Sequence, residues 1–254
     1  MAERRRRRRI IVAVLSIVVG AVVWWAEPIA LFSVLQWAAP GVVWRVRTRE
    51  PLVALSFDDG PHPVHTPRVL ALLARHDAHA TFLLIGQRAR AHPEVVRAIK
   101  AGGHEVGNHY LHQGTCLADR LATFSARLTQ AEQAIGLSGG PKLFRPPAGL
   151  AWPWQMRQAR DLGYTCVLGS AYPHDPAHPP VRYIRWLVEK NLVPGAIIIL
   201  HDGIPDPSRS IEALPDILSA GRKRGIRFVT VGTSRASGSA SPVPGSDAWR
   251  RSAS

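Results

Sequence analysis

The alternation of apolar and polar positions gives strand-like runs at 53–57, 80–84, 104–107, 143–145, 164–168, 196–200 and 227–231. Val53-Ala54-Leu55-Ser56-Phe57 and Ala196-Ile197-Ile198-Ile199-Leu200 read as buried strands. The segments between most runs have helical spacing. Thr66-Pro67 reads as an N-cap and first-turn proline opening Arg68-Val69-Leu70-Ala71-Leu72-Leu73. Leu117 to Ile135 reads as a helix closed by Gly136, and Ile211 to Leu218 as another followed by Gly221. Seven strands alternating with helices imply a parallel sheet covered by helices, an α/β fold. A distorted, seven-stranded parallel (β/α) barrel fits best. An open doubly wound sheet is the alternative, because periodicity does not show closure.

The rest of the chain divides by composition. Residues 50–233 suffice for one domain with a substantial core, and 234–254, rich in Ser, Gly, Pro and Ala, read as a disordered tail. Arg4 to Arg9 form a basic block before an uncharged stretch, Ile10 to Ala26, that reaches the lower limit for a membrane-spanning helix. With the basic flank held in the cytoplasm, residues 1–27 would anchor the chain by a single pass and place the domain outside. A cleaved signal segment and secretion is the competing reading. Residues 28–49 read as an apolar linker.

The formal net charge is +14, of which residues 1–9 supply +5. Such a charge suits anionic headgroups or acidic wall polymers, and no nucleic-acid motif accompanies it. Cys116 and Cys166 could form one disulfide outside the cell or simply lie in the core. Nothing in the pattern fixes an oligomeric state.

Candidate chemistry sits where strands end. Asp58 and Asp59 follow the first run, and adjacent carboxylates in one cavity need a cation or an arginine to offset their repulsion. His109 and His112 follow the third run, Arg145 the fourth, and His201-Asp202 the sixth. Each alone is as well explained by a solvated turn or a structural histidine. Together, at the C-terminal ends of strands, they point to an active site.

The order and wording of these segments resemble the polysaccharide deacetylase family of carbohydrate esterases. The matching pieces are Ser56-Phe57-Asp58-Asp59-Gly60-Pro61, Gly103-His104-Glu105-Val106-Gly107-Asn108-His109, Phe144-Arg145-Pro146-Pro147-Ala148-Gly149 and Ile198-Ile199-Leu200-His201-Asp202. The resemblance implies a metal-dependent hydrolase that removes acetyl groups from an N-acetylated or O-acetylated glycan. In that reading Asp58 is the general base, Arg145 its partner, His201 the general acid, and Asp59 and His109 ligands of a divalent metal, zinc being the expected ion. Ala148 stands where the family carries an aromatic residue, and its neighbourhood would supply the oxyanion amide. Asp175 is the candidate orienter of His201, while Tyr172 and Leu200 would line the acetyl pocket.

One departure touches the metal. The family's second motif places another histidine four residues after the first, and here that residue is Gln113. His112, three residues after His109, would share its face on a helical turn and is the expected third ligand. The alternatives are a glycan-binding or wall-organising protein that has lost turnover, and a deacylase of a lipid-linked sugar.

Overall fold

The computed structural model describes Gly20 and residues 41–137, 141–203 and 206–238. In chain order the strands are β1 (Val42–Val43), β2 (Leu52–Gly60), β3 (Thr81–Leu84), β4 (Glu105–Asn108), β5 (Lys142–Phe144), β6 (Tyr164–Val167), β7 (Ile197–His201) and β8 (Arg227–Val229). The helices are α1 (His65–Arg75), α2 (Gly86–Ala91), α3 (Pro93–Ala101), α4 (Leu121–Ile135), α5 (Pro153–Asp161), α6 (Val181–Lys190), α7 (Ser208–Lys223) and α8 (Val231–Gly238). The strands run in the order β1-β6-β5-β4-β3-β2-β7, with β8 on β2, and every pairing is parallel. The ladder does not close, but Ala171, just past β6, makes a single parallel bridge to Ile198 of β7. The expected parallel α/β sheet is therefore present, with the segment after β6 bridged once to β7 at the far edge.

The seven expected strands correspond to β2 through β8. β1, inside the stretch read as linker, was not expected because two residues carry no periodicity, yet Val42 and Val43 pair with Cys166 and Val167. Three helix boundaries also differ. Thr66 lies inside α1, and its hydroxyl reaches Asp202 while His62 Nδ1 accepts the amides of Val64 and His65. Leu117 to Arg120 precede α4. Gly221 lies within α7, where a Cβ would come 2.3 Å from the Phe228 ring, so it serves close packing.

Alternation along β2 sorts the layers. Leu55 and Phe57 join the main core beneath the helices, and the Phe57 and Phe82 rings stack at 5.2 Å. Ala54 faces the other way, into a small apolar cluster with Leu83, Leu143, Val167, Ile197 and Val231. Farther along β2 that same face carries Ser56 and Asp58. Cys116 and Cys166 are free thiols buried in a third, aromatic-rich cluster. Burial pushes them up to about 11 and about 12.

The membrane reading requires correction. Among the described residues no helix is long and apolar enough to cross a membrane, and residues 10–26, apart from Gly20, lie outside them. A single-pass location has no support here. The tail from residue 239 onward also lies outside the described residues.

Candidate active site

Successive strand residues point to opposite faces, so a regular β2 would bring Asp58 to the site and throw Asp59 away from it. A bulge solves this. Asp58 pairs with Leu83 and Gly60 with Leu84, leaving Asp59 as the extra residue with φ 66°. The bulge re-aims its side chain so that both carboxylates serve one site. Gly203, after β7, lies against this turn, where a Cβ would come 2.0 Å from the Asp59 carbonyl oxygen.

Arg145 continues from β5 and is 2% exposed. Its Nη1 donates to Asp58 Oδ1 at 2.5 Å and to Ser56 Oγ at 3.0 Å, while Nε and Nη2 donate to the carbonyls of Val167 and Leu168. The guanidinium thus ties the ends of β2, β5 and β6 together around Asp58. A buried ion pair of this kind depends on such added hydrogen bonds to offset desolvation.

His109 follows β4. Its Nδ1 lies 2.9 Å from the Arg145 carbonyl, and a carbonyl only accepts, so Nδ1 carries the proton. Nε2 then faces Asp59 Oδ1 at 3.4 Å and Asp58 Oδ2 at 3.9 Å. Burial raises the Asp59 carboxyl, but the hydrogen bond and charge of His109, with His201 and Arg88, hold it below its ordinary value. The unprotonated Nε2 and the Asp59 carboxylate thus present two electron-pair donors to one gap. An imidazole pinned through its other nitrogen to a carbonyl is a metal-ligand arrangement, so Asp59 and His109 fit a divalent cation.

The third expected ligand does not assemble. Residues 109–114 form no helical turn, because Tyr110 has φ 78° and buries its ring against Phe124. The three-residue spacing therefore does not carry His112 to the face of His109. Among the described residues no group of three His, Cys, Asp or Glu side chains is placed to hold a metal. Gln113 is the residue that reaches Asp59, its Nε2 donating to Oδ2 at 3.4 Å.

His201 ends β7 in register with Asp58. Its Nδ1 is 2.9 Å from Asp175 Oδ1, its own amide donates to Asp175 Oδ2, and Ser210 Oγ also donates there. Burial pulls the imidazole down, but Asp175, Asp58 and Asp59 outweigh it and push the group up to about 9. At neutral pH His201 is therefore a cation held beside the acids. The Tyr172 ring lies 5.8 Å from it. Ala148 is exposed on the short turn Pro147–Gly149, with φ 55°. Leu200 is corrected: it pairs with Phe57, shares that residue's face and is fully buried in the helix-side core, so it lines no pocket with His201.

Asp202 belongs to the matched motif but drew no role from sequence. It is wholly buried, accepts from Thr66 Oγ1 at 2.5 Å, and its Oδ1 has no hydrogen-bond partner. Burial, only partly offset by Thr66 and His201, pushes it up to about 7. Its adjacency to His201 was the available signal.

Comparison with known proteins identifies the family of the chain. The family described as polysaccharide deacetylase matches residues 45–167. A peptidoglycan-N-acetylglucosamine deacetylase of Bacillus cereus is 39% identical over 201 residues, covering 75% of this chain and 91% of the relative. A crystal structure of a peptidoglycan N-acetylglucosamine deacetylase bound to a naphthalenyl N-hydroxybenzamide superposes with a TM-score of 0.74 at 27% identity, covering 78% of this chain and 95% of that one. A family 4 acetyl xylan esterase from Clostridium thermocellum, solved with cobalt, gives a TM-score of 0.67 at 30% identity over 73% of this chain and 90% of its own. The bulged acid pair and the buried arginine thus sit in a chain that belongs to the polysaccharide deacetylase family and is a hydrolase of that type.

Proposed function

We propose that the domain over residues 50–233 removes acetyl groups from N-acetylglucosamine units of a wall glycan, peptidoglycan first, using a divalent cation, zinc, held by Asp59 and His109. The observation that carries this reading is the pair of buried carboxylate partnerships flanking the Asp59–His109 gap: Asp58 with Arg145, and Asp175 with His201. When bound, the cation would polarise the acetyl carbonyl and make the attacking water more acidic. Asp58 keeps Oδ2 outside its Arg145 bond and takes the proton of that water. Attack on the carbonyl carbon builds negative charge on its oxygen, and the backbone amide of Ala148 is the donor we assign to it. As the carbon–nitrogen bond breaks, protonated His201 gives its proton to the leaving nitrogen. Asp175 keeps the ring oriented and charged, and Tyr172 lines the acetyl side.

The lack of a third donor among the described residues favours one second reading, a glycan-binding protein without turnover. Acetate release decides between them. The metal-loaded chain, incubated with peptidoglycan fragments, chitin oligomers and acetylated xylan, is expected to release acetate from the first most efficiently and to stop when chelated. No acetate from any of the three would establish the binding reading instead.

A further inference from the structure

The side of Asp59 away from His109 is closed by a small ring of polar contacts. Arg88, half-buried on α2, donates from Nη1 to the Asp59 carbonyl at 3.1 Å and from Nη2 to Gln113 Oε1 at 3.3 Å. Gln113 Nε2 completes the ring on Asp59 Oδ2. A guanidinium only donates and a carboxylate only accepts, so a primary amide between them has one satisfied orientation. Turned over, its NH2 would face the guanidinium and its oxygen the carboxylate, two repulsive contacts. The amide oxygen, the one atom of Gln113 able to ligate a hard cation, is thereby committed to Arg88.

We propose that Arg88 locks Gln113 out of the cation site, leaving two protein donors among the described residues, Asp59 Oδ1 and His109 Nε2, so that the metal is held loosely and exchanges readily. This rests on the reading of Asp59 and His109 as metal donors. Arg88 acts as a positioning residue in two ways. It occupies the amide oxygen, and it sets a fixed positive charge beside a site meant for a cation. Its bond to the Asp59 carbonyl also supports the bulge at φ 66°. Removing this arginine should therefore tighten metal binding, the opposite of what loss of a supporting contact ordinarily does.

The test is zinc affinity of the full, metal-stripped chain, measured by competition with a chromophoric chelator. Gln113→His, which supplies an imidazole donor, is expected to tighten binding by about 10- to 100-fold. Arg88→Met is expected to tighten it several-fold, and His112→Ala to leave it unchanged. Unchanged or weaker binding in Arg88→Met would overturn the proposal. If that variant does not fold, unchanged binding in Gln113→His would overturn it alone, as would a strong loss in His112→Ala. Asp59→Ala and His109→Ala separate the two levels: zinc binding that survives both would refute the metal reading itself.

Discussion

The two ends of the sheet each carry a cluster of acid and hydroxyl groups, and they are built on opposite terms. At the N-terminal end Glu105 Oε2 accepts from Thr81 Oγ1 at 2.6 Å and from the amide of Gly232 at 3.0 Å, while Thr81 Oγ1 accepts the amide of Val231. The acid stands at the start of α8, where exposed amides and the helix dipole both favour it. Its capacity is spent on holding the structure together. At the C-terminal end Asp58 pairs with Arg145 and Asp175 with His201, a residue with φ 66° is retained, and Asp202 Oδ1 has no hydrogen-bond partner. Leftover hydrogen-bonding capacity and retained strain mark a site that acts on something else.

The largest expected effect breaks the second end. Asp58→Asn should lower deacetylation by about 10²- to 10⁴-fold, measured as acetate release, with the circular dichroism spectrum unchanged. Arg145→Met comes next. It leaves the Asp58 carboxylate buried without its cation and should cost roughly 3–5 kcal/mol in urea unfolding. Glu105→Ala probes the first end, and should cost about 1 kcal/mol by uncapping α8 while leaving turnover intact. An equal loss of turnover there would erase the contrast between the ends.

Asp202→Asn should show its effect in the pH dependence of stability. Its carboxyl sits at about 7 in the fold against an ordinary 3.8, so the folded state holds the proton more tightly than the unfolded one. Its contribution to stability is complete below 3.8 and falls as pH rises through about 7. The variant is therefore expected to gain on wild type in thermal melting at pH 8, with the gain shrinking as pH falls and gone only below 3.8.

Much of this was legible beforehand, for reasons that differ by residue. Strands β2, β3 and β7 could be read because burial on both faces forces apolar runs. Asp58, Arg145 and His201 could be placed because each ends such a run. The facing of Asp59 could not, since a one-residue bulge leaves no periodic trace. The spacing argument for His112 presumed a helical turn, and Tyr110, with φ 78°, breaks it. Leu200 was misassigned against a rule the sequence itself carried: it precedes His201 by one residue and so faces the other layer. Arg88 was invisible, because its contacts with Asp59 and Gln113 join segments far apart in the chain.

The central claim is that the C-terminal end keeps His201 protonated, through Asp175, to supply the leaving nitrogen. The pH profile of kcat/KM for wild type and Asp175→Asn tests it most directly. His201 sits at about 9 against an ordinary 6.5, so the acid form required for turnover is present below that value and lost as pH rises through it. Wild type is expected to lose activity on an alkaline limb near 9, and Asp175→Asn to lose it at a lower pH, toward 6.5, because the acid that holds the proton is gone. The same alkaline limb in both proteins would contradict the account and leave His201 an orienting role.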